Sequence, residues 1–121
     1  MSGCGRFFEG NAEQMYNNLV QILSKLPENT LVYCGHEYSL QNLKFSLFVE
    51  PNNEKTQAKL KWAELKRASN LQTIPSTLKE ELEYNPFMRV DLDHFKNRYS
   101  QTDPVLVMKE LRKEKDNWKS T

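Results

Sequence analysis

Apolar residues recur along most of this chain at three- and four-residue intervals, a pattern that predicts helices with one β-like run between them. Asn11 with Gln14 three residues later reads as a capped helix start, and Ala12, Met15, Tyr16, Leu19, Leu23 and Leu26 then share one face until Pro27. Pro27-Glu28-Asn29 turns the chain into residues 30–34, a β-branched and aromatic run expected to form a short strand. Gly35 permits a sharp turn, and Ser39 is placed to cap a second helix, through Val49, carrying Leu40, Leu43 and Leu47. The strand has no evident partner among the residues C-terminal to it, and a lone strand cannot satisfy its own backbone. Its neighbour is expected either in residues 3–8 or in sequence outside this chain.

Residues 54–69 predict a third helix with Ala58, Leu60, Trp62, Leu65 and Ala68 at or near its inner face. Thr77 and Glu80 form a capping-box pair for a short helix carrying Leu78 and Leu82, which should stop near Asn85-Pro86. Phe87 and Met88 are expected to anchor the next turn, and residues 91–99 to form another short helix. Asp103-Pro104 supplies a cap and a favoured first position for a last helix through Trp118. No internal repeat or low-complexity tract interrupts the pattern.

A length of 121 residues allows one domain, or part of one, with a modest core. Charged residues make up 27% and the net charge is +1, so no global field favours nucleic acid or an anionic membrane, and anion recognition must be local. No apolar stretch suits a signal peptide or a membrane span, and two cysteines, Cys4 and Cys34, suggest a reducing compartment.

His36 stands at the C-terminal end of the expected strand, where α/β folds often expose ligands and catalytic groups beside a rigid scaffold. Taken alone, such a histidine is more often a hydrogen-bonded surface residue. His94, the only other histidine, reads as a surface or helix-face residue. A zinc set of Cys4, Cys34 and His36 is a weaker alternative, lacking a C-x-x-C pair and an evident fourth ligand.

Four separated stretches change the weight of His36. Residues 33–38, Tyr-Cys-Gly-His-Glu-Tyr, with Asn42-Leu43-Lys44-Phe45 closely resemble the last metal-ligand segment of glyoxalase II, the hydroxyacylglutathione hydrolase branch of the metallo-β-lactamase superfamily. Residues 3–10, Gly-Cys-Gly-Arg-Phe-Phe-Glu-Gly, are similar to that family's Gly-Cys-Gly-Lys/Arg-Phe-Tyr/Phe-Glu-Gly segment. Residues 75–89 resemble its helical domain, and residues 111–116, Leu-Arg-Lys-Glu-Lys-Asp, its final basic helix.

The resemblance implies the C-terminal portion of a metallo-β-lactamase αββα fold joined to the glyoxalase II helical domain: mainly α, with one or two short strands. Residues 1–50 would be the remnant of the metallo-β-lactamase-like domain and residues 51–121 the α-helical glutathione-binding domain. It implies His36 as a metal ligand and Arg6, Phe8, Tyr38, Asn42, Arg112 and Lys115 as contacts to the glutathione part of a thioester. Phe8 falls where many members carry a tyrosine, so a hydroxyl is lost there while apolar contact remains. The implied reaction is hydrolysis of S-D-lactoylglutathione to D-lactate and glutathione on two metal ions, zinc or iron. The family's His-x-His-x-Asp-His motif and bridging Asp lie upstream of the Gly-Cys-Gly segment. This chain is therefore expected to be truncated, to bind no metal stably and to be inactive alone. Glutathione or its thioester is the expected partner, with a chain supplying the missing sheet as another, and the cytoplasm, or the mitochondrial matrix, as the compartment. The rival expectation is a non-catalytic glutathione-conjugate-binding or protein-interaction module.

Without the resemblance, Arg112 and Lys115 read as part of a solvated face, because Lys109, Lys113 and Lys119 alternate there with Glu110, Glu114 and Asp116. With it, their spacing of three puts both cations on one side of the last helix.

Overall fold

A computed structural model describes residues 2–4, 11–33 and 38–118. Six α-helices and one two-stranded antiparallel sheet make up most of these residues, so the chain is mainly helical as expected.

Helix α1 (Ala12–Tyr16) starts on the expected capping box, in which Asn11 and Gln14 satisfy each other's backbone N–H groups. It widens into a π-helical stretch, Asn17–Ile22, and closes with a tight 3-10 turn, Leu23–Lys25. The wider winding rotates the apolar stripe away from a 3.6-residue period. Ala12 is buried as expected and Val20 is buried within the wider stretch, while Leu23 and Leu26, expected inside, are 42% and 43% exposed.

Strand β1 (Leu31–Val32) finds a partner that neither expectation named: β2 (Ser76–Thr77), with Leu31 opposite Thr77 and Val32 opposite Ser76. The capping-box signature of Thr77 masked the strand, because Thr77 serves both as a strand end and as the N-cap of α4 (Leu78–Tyr84). The joint is tight: the N–H groups of Leu78 and Lys79, unpaired within the helix, donate to the carbonyls of Thr30 and Glu28 at 2.8 and 2.9 Å.

Helix α2 (Ser39–Val49) is buried along Leu43, Phe45, Ser46 and Val49. Ser39 is its first residue rather than its cap, and its buried hydroxyl bonds to that of Thr73. Helix α3 (Glu54–Ala68) is capped by Asn53, which accepts from the N–H groups of Lys55 and Thr56. Its inner line runs through Thr56, Leu60 and Ala63, so Ala58, Leu65 and Ala68 face solvent, contrary to expectation. A four- and three-residue step from Thr56 fits one helical face, and polar Thr56 hid it from a reading of apolar residues alone.

Beyond α4, Asn85 caps a 3-10 turn, Pro86–Met88, which seats the fully buried Phe87. Helix α5 (Asp93–Arg98) and helix α6 (Pro104–Asn117), the latter capped by Asp103 with Pro104 at its first position, complete the fold. Ala12, Val20, Phe45, Val49, Phe87, Val90, Phe95, Val107, Met108 and Leu111 form one apolar cluster, which joins both ends of the sequence. Leu43, Ala63 and Tyr84 form a second between α2, α3 and α4.

Lys59 ties α3 to α4 through Glu80 at 2.7 Å and lies 3.8 Å over the Trp62 ring. Burial alone would raise the Glu80 pKa, but the hydrogen bonds from Lys59 and Thr77 outweigh it and hold the carboxyl below its ordinary value of 4.5. The folded chain thus gives up this proton more readily than the unfolded one. The stabilisation is complete above the ordinary value and is lost as pH falls through the depressed one. Urea unfolding should therefore show Lys59→Met destabilised relative to the parent chain at pH 7, with the gap narrowing at pH 3. An equal gap at both values would contradict this.

Candidate functional site

Helix α6 buries Val107, Met108 and Leu111, and that orientation brings Arg112 and Lys115 to α2 and the N-terminal residues 2–4. The Lys115 ammonium donates to the Asn42 side-chain oxygen at 2.8 Å. Arg112, only 6% exposed, donates through Nη1 to the Cys4 carbonyl at 2.8 Å and through Nε to Asp116 at 2.9 Å, and its Nη2 pairs with the same Asp116 oxygen at 2.7 Å. The planar fork of a guanidinium suits such divided engagement. Both cations also lie over aromatic rings: Arg112 is 5.3 Å from the centroid of Phe87, and Lys115 5.4 Å from that of Phe45.

Residues 2–4 lie as a strap against α2, α4 and α6. Gly3 lies close to Asn42: a Cβ there would come within 2.8 Å of the Asn42 amide nitrogen and would push that side chain aside. The Gly3 carbonyl accepts from Asn85 at 3.2 Å. Burial pushes the neighbouring Cys4 thiol up to about 11, against the opposing pull of Arg112, so the cysteine stays a neutral packing group. Its thiol is free rather than in a disulfide.

The structure thus brings together Asn42, Arg112 and Lys115, three of the expected substrate contacts. Tyr38 stands one helical turn before Asn42, its carbonyl accepting from the Asn42 N–H at 3.0 Å, and the residue is 62% exposed. Arg6, Phe8 and His36 lie outside the described residues, as does Cys34. Among the described residues no group of three or more His, Cys, Asp or Glu side chains is placed to hold a metal ion. His94 sits on α5, half exposed, with Nε2 2.7 Å from Glu50, whose carboxylate also takes a bidentate pair from Arg89. Sequence reasoning missed the Cys4 carbonyl and Asp116 as partners of Arg112. The four-residue step from Arg112 to Asp116 was the available signal.

The sequence profile of the hydroxyacylglutathione hydrolase C-terminus family matches residues 37–118, which include Tyr38, Asn42, Arg112 and Lys115. The chain belongs to the hydroxyacylglutathione hydrolase family.

Relatives in this family match nearly the whole chain. A protein named hydroxyacylglutathione hydrolase cytoplasmic, from Arabidopsis thaliana, is 55% identical over 98% of the chain and 46% of its own length. A hydroxyacylglutathione hydrolase-like protein of Gallus gallus is 51% identical over 98% of the chain and 42% of its own length. A probable hydroxyacylglutathione hydrolase of Schistosoma mansoni is 50% identical over 98% of the chain and 49% of its own length. The chain therefore spans about half the length of the curated relatives it matches. As a member of the hydroxyacylglutathione hydrolase family it carries the C-terminal helical part, and no helix among its described residues is long and apolar enough to cross a membrane.

Proposed function

We propose that this chain forms the glutathione-holding wall of a hydroxyacylglutathione hydrolase, whose complete form hydrolyses S-D-lactoylglutathione to D-lactate and glutathione. The observation that carries the reading is the meeting of Asn42, Arg112 and Lys115 at one place, from helices far apart in sequence. Glutathione presents carboxylates, amides and a flexible backbone. An ammonium, a guanidinium and a carboxamide held side by side match that chemistry. Of the five N–H groups of Arg112, those on Nη1 face the Cys4 carbonyl and sulfur, while Nε and one on Nη2 face Asp116, so Nη2 is the terminal nitrogen placed to offer a further donor to an incoming carboxylate. Lys115 supplies a point charge beside it, held by Asn42, and Tyr38 an exposed ring. In this reading residues 1–50 are the end of the metallo-β-lactamase-like domain, residues 51–121 the glutathione-binding domain, and Arg6 and Phe8 further contacts.

The metals belong to the complete enzyme. Two ions, zinc or iron, would polarise the thioester carbonyl and activate water there, and they need about six or seven N and O ligands on a rigid frame. This chain has two histidines, of which we assign His36 as one ligand. The purified 121-residue chain should therefore bind an S-alkylglutathione yet show no turnover of S-D-lactoylglutathione with zinc or iron added. Metal-dependent hydrolysis by this chain would contradict the assignment, and a titration without binding would remove the glutathione site. The cytoplasm is the compartment we propose, in keeping with the name of the Arabidopsis relative.

A second reading, an interaction module completed by a chain that supplies further sheet, is favoured by the outer face of β1. Leu31 of β1 and Tyr33, the residue just past its end, are 53% and 70% exposed.

A further inference from the structure

Glu81 is a buried carboxylate on α4, 2% exposed and remote in sequence from every proposed glutathione contact. Ser2 donates its backbone N–H to both of its oxygens, at 3.2 and 3.0 Å. Ser76 donates its hydroxyl at 2.8 Å and Asn85 its amide at 3.2 Å. Ser2 is itself fully buried and is held at a φ of 59°, a left-handed conformation that costs a non-glycine residue about 1 kcal/mol. Its hydroxyl bonds to that of Ser46 on α2 and donates to the Tyr84 carbonyl. The carboxylate thus holds the first residue of the strap. The strap in turn touches two of the proposed glutathione contacts: Gly3 packs against the Asn42 amide, and the Cys4 carbonyl takes a hydrogen bond from Arg112.

We propose that Glu81 is a positioning residue for glutathione binding, acting through Ser2–Cys4 to fix the Asn42 amide and the Arg112 guanidinium before ligand arrives. This rests on the glutathione reading of the site. A carboxylate is needed for the task because it only accepts: glutamine, of the same shape, would turn an NH2 group toward one of the donors from Ser2, Ser76 or Asn85. A buried carboxyl group is costly unless its hydrogen bonds are made, and here neutral donors from a main-chain N–H, a hydroxyl and an amide make them. Preorganisation of this kind raises affinity by removing the ordering cost from the binding step.

The test compares the whole chain with Glu81→Gln and Ser2→Pro, the latter leaving Glu81 with Ser76 and Asn85 while removing the N–H and excluding a positive φ. Calorimetric titration with an S-alkylglutathione is combined with the rate of Cys4 alkylation by iodoacetamide, read peptide by peptide by mass spectrometry. Both variants should keep the helical circular-dichroism signal, bind about 10-fold more weakly and alkylate at Cys4 about 10-fold faster as the strap opens. A folded variant with parental affinity overturns the positioning role, and unchanged Cys4 alkylation in both overturns the strap linkage. In either case binding by the parent leaves the glutathione reading standing. If the parent chain itself fails to bind, the glutathione reading falls and takes this inference with it.

Discussion

Replacing Lys115 by alanine should weaken binding of an S-alkylglutathione by about 10- to 100-fold, the equivalent of about 1.4–2.8 kcal/mol. The ammonium is anchored on Asn42 and poised over the Phe45 ring, so its position costs little further ordering when a carboxylate arrives. Loss of a charge-assisted contact of this kind is expected to appear in the dissociation rate more than in the association rate. Arg112→Ala should do at least as much, but by two routes. It removes a donor to the incoming carboxylate and also strips the Cys4 carbonyl of its guanidinium partner, which should cost about 1–3 kcal/mol of stability. Lys115→Ala separates the binding effect from the structural one. Equal affinity for the parent and Lys115→Ala chains would exclude Lys115 from the site.

Phe87→Ala should be the most damaging single change to the fold, at about 3–5 kcal/mol. Its ring is fully buried, stacks against Phe45 with centroids 6.4 Å apart and lies beneath the Arg112 guanidinium at 5.3 Å. Few residues join the core to the site so directly. Against a typical total of about 5–15 kcal/mol, a loss of this size should lower Tm by roughly 10–20 °C. It should also weaken ligand binding, because Arg112 loses the surface it rests on. Phe48→Ala is the matched control: Phe48 is 48% exposed, and its loss should shift Tm by only a few degrees, about a fifth of the Phe87 effect. Similar shifts for both would mean that the Phe87 pocket is not the keystone of this core.

Helix ends were the most legible part of the fold. Asn11 with Gln14, Thr77 with Glu80, and Asp103 with Pro104 each announce a start by short-range chemistry, and each is present. Sheet pairing was not legible, because a two-residue strand at Ser76–Thr77 has no periodicity to detect and its threonine signals a helix cap equally well. Helix faces failed where polar residues turn inward. Thr56, Ser46 and Glu81 are all buried, and a reading by hydrophobicity assigns each to solvent. The candidate site could be proposed only through resemblance, since spacing alone made Arg112 and Lys115 look like members of a solvated face. What the fold adds is their juxtaposition with Asn42, set by the packing of α6 through Val107, Met108 and Leu111, which no local pattern contains.

A glutathione moiety resting where α2 and α6 meet would be reported directly by amide-resolved NMR of the 15N-labelled chain, titrated with an S-alkylglutathione. The Asn42 side-chain amide and the backbone amides of Tyr38, Arg112 and Lys115 should shift together along one saturable curve. Shifts confined to the separate cleft around Glu50, Arg89 and His94, or none at saturating ligand, would contradict it.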